Sequence, residues 1–198
     1  EDQVQPPRLY HCWITPALLA PGDAEMDMIS SLLTTGKNSR LFRRLVYEDR
    51  IAQDVTAFQN SRQLGSMFCI MSTAREGHDL RELEAVIGEE LDRLRQEAPS
   101  DREVTRILNG IEAGFLRNLE RVGGFGGKAD LLNSYYVNTG NPDYFEENLA
   151  RYRALDGGDL RAAVRSNLDA DARVVLSIVP EGRKELAVTA PEDKEKER

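Results

Sequence analysis

The chain has 198 residues, 40% of them hydrophobic and 30% charged, and a formal net charge of −8. That is enough chain for one large domain with its own core, without disulfide or metal staples. The acidic balance argues against a nucleic-acid phosphate backbone as partner, and no apolar run is long enough for a membrane span.

The elements follow in chain order. After Pro6-Pro7, Leu9 to Thr15 (LYHCWIT) is β-rich and stops at Pro16, which predicts a first strand. Pro21-Gly22 leads into a helix, expected to be capped by Asp23 and to reach Thr34, with Met26, Ile29, Leu32 and Leu33 inward. Gly36 ends it. A short basic helix is predicted from Asn38 or Ser39, with Leu41, Leu45 and Val46 on one side and Arg40, Arg43 and Arg44 elsewhere. A second strand is predicted over Gln53 to Gln59. The third, Ser66 to Ser72, contains MFCIM and reads as a strand covered on both faces.

Two capping boxes then announce long amphipathic helices: Asp79 with Glu82, and Ser100 with Glu103. The first carries Leu80, Leu83, Ile87, Leu91 and Leu94. The second carries Val104, Ile107, Leu108, Ile111, Phe115 and Leu119. Gly123 to Gly127 breaks the chain. Shorter helices are predicted near 128–139, 142–154 and 157–167. Asn141 caps the second of these with Pro142 at its first position, and Asp156 caps the third. Arg173 to Val179 forms the last strand. The order predicts an α+β domain whose strands form a single mostly antiparallel sheet, with helices packed on one face. The expected division is a linker over 1–7, the domain over 8–182 and a charged, flexible tail over 183–198, densest from Glu192 to Arg198.

Candidate chemistry is sparse. A helical zinc-peptidase site needs two histidines a turn apart and a glutamate, or the inverted H-x-x-E-H. The chain has two histidines in all, His11 and His78, on different elements. In HDLRE the second histidine is missing and Arg81 stands inside the motif. His11 neighbours Cys12, but adjacent strand residues point to opposite faces and do not meet. The glycine cluster ends in Lys128 yet follows a helix, is one residue short of a phosphate loop, and has Ala129 where a hydroxyl would hold magnesium. A bent connection between helices is the expectation. Cys12 and Cys69 are expected as buried free thiols; a disulfide would require Cα atoms within about 7 Å. Tyr135, Tyr136, Tyr144, Phe145 and Tyr152 are expected mainly as core, one or two facing a substrate. No residue is assigned as catalytic, cofactor-binding or metal-binding.

Three phrases in this order, PRLYHCWITPA, GKNSRLFRRLVYEDRIAQDVTAF and GFGGKADLLNSYYVNTGNPDYF, resemble the C-terminal, non-zinc-binding half-domain of pitrilysin/insulinase/processing-peptidase-like zinc metallopeptidases, in their bacterial branch. The resemblance spans about Leu9 to Gly182. It implies that H-x-x-E-H and zinc lie in a missing N-terminal half, while this half walls the substrate chamber, binds extended peptide or unfolded protein and docks to the other half.

In many members the turn–helix–strand segment supplies an arginine and, seven residues on, a tyrosine that donates to the developing oxyanion. Alignment on Ser39-Arg40-Leu41-Phe42 puts those positions at Val46 and Gln53. Two explanations stand side by side: a partner subunit supplies the Arg/Tyr pair, or the parent is a non-catalytic scaffold of a larger complex. A stand-alone peptide-binding or dimerisation module is a third. Gln53 and Arg50 are the substrate-facing candidates. The opening EDQVQPPR, without Met, fits an excised or processed fragment, and the resemblance implies an extracytoplasmic, periplasmic location.

Overall fold

The computed structural model describes residues 2–3 and 5–188. Its strands are β1 (Arg8–Thr15), β2 (Ala52–Asn60), β3 (Ser66–Ala74) and β4 (Val174–Ile178). They form one sheet in the order β2-β3-β1-β4, with every neighbouring pair antiparallel. The helices are α1 (Asp23–Thr34), α2 (Leu80–Gln96), α3 (Asp101–Glu120), α4 (Lys128–Thr139), α5 (Phe145–Arg153) and α6 (Gly157–Asn167). The α+β class and the single sheet stand as predicted.

Period-2 alternation sorts the sheet. In β1, Leu9, His11, Trp13 and Thr15 are buried while Arg8 and Ile14 are exposed. The buried side meets α1, α2 and α6, around a core that includes Trp13, Phe68, Ile29, Leu41, Leu83 and Leu160. Trp13 Nε1 is satisfied by the Asp169 carbonyl at 2.7 Å. On the opposite face Ile14, Val174 and Leu176 are exposed. Met67 of β3 lies on that face and is 37% exposed, whereas Cys69 and Thr73 on the same face are buried, so the cover on both faces read from MFCIM is incomplete at the Met67 end.

The capping boxes of α2 and α3 form as predicted, and Asp156 accepts from the Gly158 and Asp159 amides to start α6. Gly157, at that start, passes so close to the preceding loop that a Cβ would sit 2.3 Å from the Pro99 carbonyl oxygen.

Two predicted helix starts are corrected. Gly22, at φ 101°, is the N-cap of α1, not Asp23. A Cβ there would meet Pro16 at 2.7 Å, and Asp23 instead turns its carboxylate to the Leu19 amide and the Ser61 hydroxyl. Asn141 does not cap α5. Its side-chain oxygen accepts from the Asp143 amide at 3.0 Å, a local turn that delays the helix to Phe145.

The cysteines are also corrected: Cys12 and Cys69 are joined in a disulfide, with Cα atoms 4.3 Å apart. They face each other in the β1–β3 register. That register is tertiary information, which is why spacing along the chain left them as thiols.

Both ends of the domain are tied in. The Asp2 amide donates to Val179 O at 2.9 Å and the Ala74 amide to Pro7 O at 2.9 Å, so residues read as linker join the sheet end. Beyond residue 182, Lys184–Leu186 forms a 3₁₀ turn, Leu186 to Val188 pack on the core, and the Val188 amide donates to Ser177 Oγ at 3.2 Å. The rest of the predicted tail, 189–198 with its charge run, lies outside the described residues.

Candidate functional site

The segment from Gly36 to Gln59 is built from its hydroxyls and arginines upward. Ser39 is fully buried and donates through its hydroxyl to Gly36 O at 2.6 Å. The expected basic helix follows, but it widens into a π-helical stretch over Phe42–Glu48, in which the Asp49 amide reaches Arg44 O at 2.8 Å. Such i→i+5 turns are uncommon and recur at functional sites. Leu41 and Leu45 enter the core, and Phe42 and Val46 pack against it half-buried. Val46, at the position the resemblance gives to an arginine, therefore faces the domain's own interior.

The basic residues of this turn are committed to structure. Arg40 forks onto Glu103, with Nε to Oε1 at 2.9 Å and Nη2 to Oε2 at 3.1 Å. Arg44 bonds Glu89 at 2.6 Å and Glu90 at 3.2 Å on α2. Arg43 pairs with Glu48 at 3.3 Å. Burial works to raise the Glu103 pKa, but hydrogen bonds from Arg40 and Ser100, together with the Arg40 charge, hold it at about 2.

Arg50 is different. It is exposed and makes no ion pair among the described residues; its only contact of that kind is a long 3.4 Å hydrogen bond from Nε to Tyr47 O. Its backbone sits at φ 56°, the left-handed region that side chains with a Cβ avoid. This bend turns the chain into β2. There the β2–β3 register shifts between Ala52 and Asp54, leaving Gln53 as the extra, exposed residue of a β-bulge. Bulges commonly re-aim a side chain at a site's edge.

Gln53 lines a cleft of about 590 Å³ at the end of the sheet where β1 and β2 begin and β3 and β4 end. Around it stand Pro7, Arg75, His78, Pro180 and Arg183. Arg50 does not line this cleft, so the two candidates are neighbours in sequence that are not brought into one pocket. His78 Nδ1 is 2.8 Å from Glu82 Oε2, just ahead of the α2 cap. The cleft residues were not singled out as a set from sequence, because only the meeting of four strand ends assembles them.

His11 is fully buried on the helix face, and Cys12 lies on the other face. Burial, reinforced by the Arg173 charge, pushes the His11 pKa down to about 3. Its Nε2 is 3.7 Å from Glu84 Oε1, and Glu84 is held by Arg173 at 3.0 Å. Among the described residues no group of three or more His, Cys, Asp or Glu side chains is placed to hold a metal ion. The described residues do not fit a peptidase zinc.

Tyr135 and Tyr152 are core, whereas Tyr136 is exposed. Tyr152 donates to Asp27 Oδ2 at 2.7 Å. Burial raises the Asp27 pKa to about 6, against the lowering effect of that bond. The glycine loop consumes its own donors. The Gly126 amide goes to Asp130 at 2.8 Å, that of Gly127 to Gly124 O at 3.1 Å and that of Lys128 to Arg121 O at 2.8 Å. It is a bonded turn between α3 and α4, with Phe125 fully exposed at its tip. Among the described residues no helix is long and apolar enough to cross a membrane.

Fold and site together define an α+β domain with a polar cleft at one end of its sheet. Residues 1–111 match the family described as the peptidase M16 inactive domain, and the chain belongs to that family. No curated protein sequence matched.

Among solved structures, a protease from Helicobacter pylori is similar over 91% of this chain and 42% of its own, at 19% identity and a TM-score of 0.79. The inactive peptidase domain of a proposed zinc protease from Bordetella parapertussis is similar over 88% of this chain and 90% of its own, at 18% identity and a TM-score of 0.75. A chain of complex III2 from Candida albicans is similar over 89% of this chain and 43% of its own, at 10% identity and a TM-score of 0.73. At these identities the likeness is one of fold. The chain spans less than half of the Helicobacter protein.

Proposed function

We propose that this domain is the zinc-free second half of a zinc-dependent peptidase of the pitrilysin/insulinase/processing-peptidase kind. It walls a substrate chamber and binds extended peptide. Zinc and H-x-x-E-H belong to the N-terminal half of the parent, and a partner subunit supplies the Arg/Tyr pair. The observation that carries this reading is the bulge at Gln53. It turns an amide side chain into the 590 Å³ cleft, within the segment that the resemblance makes substrate-facing, while Val46 is turned to the core. An amide can donate and accept with a peptide backbone without selecting sequence. Arg50, exposed but outside the cleft, offers a cation to substrate that extends beyond it. The disulfide supports an oxidising, extracytoplasmic compartment.

The test is hydrolysis of an unstructured peptide by the parent protein, with and without its partner subunit and with a zinc chelator. Activity is expected only with zinc and partner together, and Gln53→Ala is expected to lower kcat/KM several-fold by raising KM. The second reading, a scaffold subunit, is favoured by the fold shared with a chain of complex III2. An upstream half without H-x-x-E-H would decide for the scaffold.

A further inference from the structure

β4 is an edge strand whose sequence, VVLSI, is apolar and weakly guarded. Val174, Val175 and Leu176 are 68%, 38% and 50% exposed. Exposed apolar edges are templates for another strand and are normally blunted by Lys, Pro or a bulge. None of these interrupts Val174 to Ser177.

The direction of each β4 backbone group follows from the register. Cys12 and Cys69 lie opposite each other at a Cα separation of 4.3 Å, the spacing of a non-hydrogen-bonded antiparallel pair. Cys12 therefore turns its own amide and carbonyl to β4, where its partner is Val174. By alternation, Val174, Leu176 and Ile178 bond to β1, and Val175, Ser177 and Val179 turn their backbone groups away from the sheet. The Asp2 amide does take the Val179 carbonyl, at 2.9 Å, which agrees with this assignment. Among the described residues, the backbone groups of Val175 and Ser177 have no partner on that side.

Asp2 meets β4 in a parallel bridge opposite Pro180. In a parallel ladder, alternate residues of one strand bond to alternate residues of the other at equal rise. Backbone running back from Asp2 in that register passes Ser177 and then Val175. We propose that the free edge of β4 receives a parallel strand formed by the segment that leads into Asp2 from the other half of the parent, extending the sheet to five strands. This rests on the reading above that such a half exists. The Asp2 amide on the Val179 carbonyl, at 2.9 Å, already places the start of that strand on the edge.

The test follows amide hydrogen exchange along β4 in this chain and in the parent protein. In this chain the Val175 and Ser177 amides should exchange freely while Leu176 is protected by β1. In the parent both should slow by about a hundredfold or more. Val175→Pro removes an outward amide and no β1 bond. With the two halves of the parent made as separate chains, it should weaken their association about tenfold, as should Val175→Lys, whereas Val175→Ile should not. Free exchange at Val175 and Ser177 in a parent whose halves nevertheless associate overturns the strand and leaves the two-half reading intact. Protection already present in this chain also overturns it, assigning the edge to the chain's own residues or, if concentration-dependent, to a second copy. A parent without another half overturns both.

Discussion

Arg40 and Glu103, 63 positions apart, form a two-point ion pair that clamps the π-helical turn to the first turn of α3. The same carboxylate accepts from the Ser100 amide at 2.9 Å, completing the α3 capping box. One side chain thus serves a local cap and a tertiary clamp. An arginine that reads as surface-basic in the sequence is a structural fastener.

Glu103→Gln should destabilise the domain by about 1–2 kcal/mol at neutral pH, a charge-assisted bond discounted for partial exposure. The folded pKa of about 2 lies below the ordinary carboxylate value, so the contribution is complete above about pH 4.3 and is lost as pH falls toward 2. Urea unfolding of both proteins across pH 2–7 checks this. The two curves should converge in acid, and a constant gap would refute the pair's ionic contribution.

His11 titrates in the opposite chemical sense with the same outcome. Its folded pKa of about 3 lies below the unfolded value, so between about pH 6.5 and 3 the unfolded chain binds the extra proton and stability rises with pH. The Glu84 carboxylate and the Arg173 guanidinium face the ring from α2 and from the residue before β4. His11→Phe should flatten the limb of the stability profile between about pH 6.5 and 4 without altering the Glu103 contribution below it. Denaturation of the single and double variants separates the two.

Reduction should destabilise the domain, because the Cys12–Cys69 link closes a loop over a sequence separation of 57. Chain entropy sets the effect at about 4 kcal/mol, and measured losses commonly run about 2–4. The melting temperature should fall on adding dithiothreitol. A Cys12→Ala/Cys69→Ala variant should start lower and be insensitive to the reductant.

Arg50→Gly should leave stability unchanged or raise it by up to about 1 kcal/mol, since glycine adopts φ 56° freely. Arg50→Val should cost about 1–2 kcal/mol for the same reason. Equal stabilities for both variants would show that the bend relaxes. Activity of the parent carrying Arg50→Gly reports separately on the cation's role.

The sequence by itself determined the element order, the α+β class, the inward apolar stripes, the capping boxes at Asp79 and Ser100 and the cap at Asp156. Those signals are local, set by side chains three or four residues apart along a helix or two apart along a strand. The resemblance carried by its motifs implied that Val46 and Gln53 stand at the positions of the family's donor pair. The tertiary structure decided what depends on register and on packing between distant elements. The disulfide exists because β1 and β3 align Cys12 with Cys69. Arg40 is a clamp because Glu103 comes to it from α3. Gln53 reaches a cleft because a bulge turns it toward ends of all four strands. Arg50, three positions away in sequence and itself in a left-handed bend, does not line that cleft. No spacing rule along the chain encodes such meetings, since they are fixed by the pairing of strands and the docking of helices on one face.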